Sequence, residues 1–164
     1  MRAVLGLGAN LGDRAGTLQE AVDALAADTS IVTVSAIFET TPVGGPAQPD
    51  FYNAIALVDT ELSAAELLEL AHRIEAAAGR VRAERFGPRT LDVDIVTYAD
   101  QRSADAALTL PHPRAHERGF VLLPWLDADP QAHLVGWGSV AQLADTVDVA
   151  GVRRLESPTL RWGP

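Results

Sequence analysis

The 164-residue chain contains no cysteine and no lysine. Without cysteine, disulfides, thiolate nucleophiles and cysteine-ligated zinc are excluded. Without lysine there is no Schiff base and no Walker A loop, whose Gly-Lys-Ser/Thr core needs that ammonium. All 13 cations are arginine, and against 22 acidic residues they leave a net charge of −9. A chain this acidic is a poor general ligand for nucleic acid or an anionic membrane. No apolar run approaches the roughly 18 residues of a membrane span. The opening MRAVLGLGANLGDR has an apolar stretch too short and too Gly-rich for a signal peptide, so a cytoplasmic protein is expected. Hydrophobic residues, at 48%, are sufficient for one core, and the length corresponds to a single domain over 1–164.

Periodicity divides the chain into alternating element types. Residues 2–8 are apolar and end in Gly, which predicts a buried strand. Leu18, Ala21, Val22 and Leu25 are spaced as one helical face over 16–27. Residues 31–38 predict a second strand, and 40–50, with three Pro and two Gly, a loop. A third strand follows over 51–60. Ser63 with Glu66 three positions on is a capping-box signature opening a helix over 63–78, closed at Gly79. Residues 90–98 alternate as a fourth strand. The order β-α-β-β-α-β predicts an α+β, ferredoxin-like fold, with helices packed on one face of an antiparallel sheet. The C-terminal additions comprise an extended piece near 106–110 and helices near 119–126 and 139–145.

Asp92 and Asp94 in RTLDVDIV are the sharpest chemical feature. Residues i and i+2 of a strand share a face, so both carboxylates point away from Leu91, Val93 and Ile95. About 6.6 Å apart by strand rise, they repel by ~2.5 kcal/mol at an effective dielectric of about 20. On a partly covered face that repulsion asks for a cation, and hard oxygen ligands with open positions for phosphate suit Mg²⁺. A solvated strand face is the alternative. Arg80, Arg82, Arg85 and Arg89 lie just upstream in a Gly- and Pro-containing loop. Arginine contacts phosphate bidentately, so loop and aspartates together read as a polyphosphate site, against a surface charge run paired with Glu75 and Glu84.

Four weaker features accompany them. GLGANLGD at 6–13 lacks the GxGxxG spacing and reads equally as a tight strand-to-helix turn or a ligand contact. In LPHPRAHERGF, Pro113 separates His112 from a shared helical face with His116, which argues against zinc. His112, Arg114 and Arg118 are instead candidate phosphate donors, or a polar loop before an apolar helix. Glu75 opposes the macrodipole in its helix's last turn, with His72 on the same face. It could pair with a loop Arg or accept from a ligand N–H. Phe51 and Asn53 share a strand face and could clamp a flat heterocycle, or serve as core and edge residues.

Taken together, LGLGANLGD (5–13), TPVGGPAQPDFYNA (41–54), RIEAAAGRVR (73–82), RFGPRTLDVDI (85–95) and LPHPRAHERGFVLLP (110–124) resemble the 6-hydroxymethyl-7,8-dihydropterin pyrophosphokinase family over most of residues 3–130. The resemblance implies a ferredoxin-like core and pyrophosphate transfer from ATP to the pterin hydroxymethyl group, releasing AMP, in folate biosynthesis. It implies that Asp92 and Asp94 hold two Mg²⁺ ions. Arg80, Arg82 and Arg89, with His112 and Arg118, would engage the ATP phosphates. Arg80, Arg89 and Asp92 would be the catalytic set. His72, Glu75, Ile95, Thr109 and Leu110 would contact the nucleoside, and Thr40, Val43, Phe51, Asn53, Phe86, Asp92 and Phe120 the pterin. Phe51 stands where Tyr is familiar, Phe86 where Trp is usual, and His72 where Gln is often seen. A monomer with small-molecule substrates and no nucleic-acid or membrane partner is expected. A nucleotide-sensing module and an RNA reader are the competing readings. The Asp and Arg set argues against the first, and the charge and missing RNP-type aromatics against the second.

Overall fold

The architecture comes from a computed structural model that describes residues 1–42, 44–79 and 90–163. Strand β1 (Arg2–Ala9) leads through a turn to helix α1 (Arg14–Asp28), then to β2 (Ser30–Val34), β3 (Phe38–Thr40) and β4 (Phe51–Asp59). Helix α2 (Ala64–Ala77) and strand β5 (Asp92–Tyr98) complete the core. The remaining elements are β6 (Ser103–Ala104), β7 (Thr109–Leu110), a 3-10 turn (Ala115–Glu117), α3 (Gly119–Ala128), β8 (His133–Leu134), β9 (Gly138–Ser139), α4 (Val140–Ala144) and β10 (Val152–Arg154). The main sheet is antiparallel, in order β10-β3-β4-β1-β5, with β2 also paired to β4. Counting β2 and β3 as one strand recovers the expected β-α-β-β-α-β order. Among the described residues no helix is long and apolar enough to cross a membrane.

The second strand is broken where continuous pairing was expected over 31–38. The Ser35 N–H still donates to the Ile55 carbonyl at 2.9 Å, but beyond it the backbone leaves the ladder for side-chain partners. The Ser35 hydroxyl accepts from the Ile55 N–H at 2.9 Å and donates to the Ala36 carbonyl at 2.7 Å. The Ala36 N–H donates to Asp127 Oδ2 at 2.7 Å. Strand β5 also departs from strict alternation. Its register against β1 shifts between Val4, which pairs with Thr97, and Leu5, which pairs with Ile95, so Val96 is the extra residue. This bulge flips the phase after Val96. Tyr98 therefore turns toward the helices, where its hydroxyl donates to the Leu62 carbonyl at 2.7 Å.

Both faces of the sheet are used. Leu5 and Leu7 of β1, Ala56 and Val58 of β4, and Val93 and Ile95 of β5 pack on one side against Leu18, Val22 and Leu25 of α1 and Leu67 and Ile74 of α2. On the opposite side Val4, Ile55, Leu57 and Val96 meet Leu122 and Trp125 of α3, Leu134 and Val140. The additions thus cover one half of the second face. The half they leave open carries Gly6, Gly8, Phe51, Asn53, Asp92 and Asp94.

The capping box forms as the spacing predicts. The Glu66 N–H donates to Ser63 Oγ at 3.3 Å, and the Ser63 N–H donates to Glu66 Oε2 at 2.8 Å. The Ser63 hydroxyl and N–H hold the Glu66 carboxyl below its ordinary pKa. Ser63→Ala removes the cap and is expected to cost about 1 kcal/mol in urea unfolding; an unchanged midpoint would show that the cap contributes nothing.

Candidate active site

The open half of the second face owes its shape to β1. Leu5 and Leu7 face the helices, so Gly6 and Gly8 alternate onto the other side and leave the strand bare. At Gly8 this bareness is required, because a Cβ there would stand 2.9 Å from Asn53 Oδ1. Beyond the strand, the buried Asn10 amide donates to Gln48 Oε1 at 2.9 Å and to the Pro49 carbonyl at 3.1 Å. It ties the turn after β1 to the loop that leads into β4. The GLGANLGD stretch is therefore both a turn and part of a cavity floor.

Two cavities open on this surface, one of about 310 Å³ and one of about 680 Å³. They share three residues, Asp92, Asp94 and His112. The smaller runs along β5 and α2, between Leu68, His72, Glu75, Ile95 and residues 106–109. The larger is enclosed by Thr40, Pro42, Phe51, Asn53, Arg114, Arg118 and Phe120, with further contributions from Gln48, Glu117, Asp148, Gly151 and Val152.

Strand alternation places the two aspartates as anticipated. Val93 and Ile95 are buried, whereas Asp92 and Asp94 are half-buried at the meeting point of the cavities. Glu75, 4% exposed, accepts the Val93 N–H at 2.8 Å and so fixes the backbone between them. A backbone N–H of β5 was not among the partners anticipated for Glu75.

His112 sits opposite. Its N–H donates to the Val96 carbonyl at 2.8 Å, which pins the loop to β5. Nδ1 accepts from the Arg114 N–H at 3.2 Å, so in the neutral ring Nε2 carries the proton. Burial, reinforced by Arg118 and opposed by Asp92, pushes the imidazole pKa down to about 4. The ring is neutral at pH 7, and the 4.0 Å approach of Nε2 to Asp94 Oδ2 is not an ion pair there. His112 therefore presents a neutral N–H at the junction. Burial also lowers the Arg118 pKa, with Asp94 and Asp92 opposing. An arginine nevertheless stays charged at any physiological pH. In the larger cavity the Asn53 amide donates to Thr40 Oγ1 at 2.6 Å, and both residues are buried.

Of the anticipated residues, His72, Glu75, Ile95 and Thr109 gather in the smaller cavity, and Thr40, Phe51, Asn53, Arg118 and Phe120 in the larger. Asp92, Asp94 and His112 belong to both. Leu110 does not line either cavity; its side chain is buried in the principal core, 3% exposed. Arg80, Arg82, Arg85, Phe86, Arg89 and Val43 lie outside the described residues. Gly8 was anticipated only as part of the GLGANLGD turn or ligand contact, and Gln48, Gly151 and Val152 were not anticipated. Gly8 carries a usable signal, since a strand glycine often marks close approach of another group. The others lack one.

Over residues 4–130 the chain matches the 7,8-dihydro-6-hydroxymethylpterin-pyrophosphokinase (HPPK) family. It belongs to that family. Among HPPK relatives, the 2-amino-4-hydroxy-6-hydroxymethyldihydropteridine pyrophosphokinase of Methylorubrum extorquens is 43% identical over 157 residues, covering 94% of this chain and 99% of the relative. The Mycobacterium tuberculosis enzyme of the same name is 42% identical over 143 residues, covering 81% and 75%. That of Pseudomonas aeruginosa is 36% identical over 156 residues, covering 94% and 96%. The HPPK fold is shared with the wild-type HPPK-DHPS crystal structure from Plasmodium falciparum, at a TM-score of 0.67 and 16% identity. That match covers 88% of this chain but only 43% of the longer one.

Proposed function

We propose that this chain transfers the terminal diphosphate of ATP to the hydroxymethyl oxygen of 6-hydroxymethyl-7,8-dihydropterin, giving the pterin diphosphate and AMP. The observation that carries the reading is the junction. Two cavities of different character meet at two carboxylates and a neutral imidazole N–H. The smaller cavity, along the edge of β5, would take the nucleoside. The larger, with the Asn53 amide beside Phe51 and Phe120, suits a flat, hydrogen-bonding heterocycle. We assign Asp92 and Asp94 to two Mg²⁺ ions. Carboxylate oxygens on one rigid strand fit this hard cation and leave coordination positions for phosphate oxygens. When bound, Mg²⁺ would neutralise phosphate charge and orient the oxygens.

The protein's own part is positioning and charge complementarity. The pterin hydroxyl oxygen attacks the β-phosphorus, the bond from that phosphorus to the α-bridging oxygen breaks, and AMP leaves. Phe51, Phe120 and Asn53 hold the acceptor ring. We assign to Asp92, which lines both cavities, the role of receiving the hydroxyl proton. The His112 Nε2–H and the Arg118 guanidinium donate to phosphate oxygens from the far wall, where low exposure strengthens each contact. Glu75 keeps β5 in place from behind. Arg80, Arg82 and Arg89 are assigned to the phosphates, and Phe86 and Val43 to the pterin, on the family resemblance alone. We further propose that the chain acts as a single-domain, cytoplasmic monomer without a nucleic-acid partner.

The test is AMP formation from ATP with and without 6-hydroxymethyl-7,8-dihydropterin. AMP should appear only with the pterin, mole for mole; ADP as the nucleotide product would contradict the assignment. Asn53→Ala should weaken pterin binding by roughly 1–3 kcal/mol, the cost of a buried hydrogen bond lost with its partner left unsatisfied. Calorimetry should find ATP affinity unchanged. The reverse pattern would misplace the two ligands.

A further inference from the structure

The family match ends at residue 130, yet the wall of the larger cavity continues beyond it with Asp148, Gly151 and Val152. These residues belong to a turn that holds its own shape. The Ala150 N–H donates to Asp148 Oδ1 at 2.9 Å, and the Val152 N–H to the Val149 carbonyl at 3.0 Å. The turn is wedged between two parts of the cavity. On one side Val152 pairs with Thr40, and the Gly151 carbonyl accepts the Thr41 N–H at 3.0 Å. Thr40 in turn receives the Asn53 amide. On the other side the turn lies against the first residue of α3. A Cβ on Gly119 would stand 3.0 Å from Val149 Cγ1 and 3.2 Å from the Asp148 carbonyl oxygen. The next residue is Phe120. A single turn therefore braces Thr40 with Asn53 from one direction and Phe120 from the other, and it lines no part of the smaller cavity.

We infer that the 148–152 turn is a positioning element of the larger cavity, which sets its affinity for a flat, hydrogen-bonding bicyclic heterocycle and leaves nucleotide binding untouched. The inference rests on the reading that this cavity takes the pterin. A side chain at Gly119 would then press on Val149 and the Asp148 carbonyl and displace the turn from its seat between α3 and Thr40.

The test uses the full chain and calorimetry, with 6-hydroxymethylpterin titrated at saturating non-hydrolysable ATP analogue and Mg²⁺, and the analogue titrated separately. Gly119→Ala should weaken pterin binding about tenfold, or about 1.4 kcal/mol, with analogue affinity held within about twofold. Removing the obstructing methyls in Gly119→Ala/Val149→Ala should recover part of the loss, since the Asp148 carbonyl contact at 3.2 Å remains. Val152→Ala, which shortens the wall itself, should weaken pterin binding in the same selective way. A general structural role predicts something else: both affinities and the thermal midpoint fall together, without rescue. That result overturns the inference. Phe51→Ala separates the two levels of the argument. If it leaves pterin binding unchanged, the assignment of the cavity fails and the inference with it. If it weakens pterin binding while Gly119→Ala and Val152→Ala do not, the inference alone fails.

Discussion

Asp92→Ala and Asp94→Ala should each lower turnover by at least about 10³-fold, the scale of the several kcal/mol that a bound metal contributes to charge stabilisation. The fold should survive both changes. The two side chains face the cavities, while the buried Val93 and Ile95 between and beside them anchor β5 in the core. Asp94, with 44% of its side chain exposed, has little packing to lose. Removing one of two like charges on a strand face also relieves repulsion. Turnover at saturating Mg²⁺, alongside a thermal melt, separates the roles. Activity within tenfold of the parent in either variant would sink the metal assignment. Loss of activity accompanied by unfolding would instead make these residues structural.

Arg118→Ala should have the next largest effect, a fall in kcat of on the order of 10²-fold, the scale of one lost charge-stabilising donor. The guanidinium is drawn into the larger cavity, where Asp94 and Asp92 act on it electrostatically. It precedes α3 without making a side-chain capping hydrogen bond, so its truncation should cost the helix little. A donor engaged chiefly in the transition state alters kcat more than KM. Arg118→Lys should recover only part of the loss, since it keeps the charge but not the planar fork. Unchanged kcat with a raised KM for ATP would reduce Arg118 to a binding group.

Much of this arrangement was legible in the chain itself, for a definite reason. Ser63 with Glu66, the spacing of Leu18, Val22 and Leu25, and the DVD repeat of β5 are local patterns. Helix and strand geometry convert such patterns directly into caps and faces. The features that escaped depend on partners remote in sequence. The break at Ser35 needs Asp127, 91 residues ahead of Ala36. The bulge at Val96 is a register adjustment against β1. The cavity wall at Gly151 and Val152 exists only because β10 returns to pair with β3. Glu75 illustrates the boundary between the two kinds. Its position at the end of α2 was plain from the sequence, but its partner, the Val93 N–H, depends on how α2 docks along the sheet edge.

In the proposed reaction ATP and the pterin meet across Asp92 and Asp94, and a diphosphate rather than a single phosphoryl group moves. It is tested most directly with ATP labelled at the β-phosphorus, incubated with 6-hydroxymethyl-7,8-dihydropterin and Mg²⁺. The β-label is expected in the pterin product, while the nucleotide product, AMP, is unlabelled. Recovery of the β-label in ADP, with the pterin unlabelled, would contradict it.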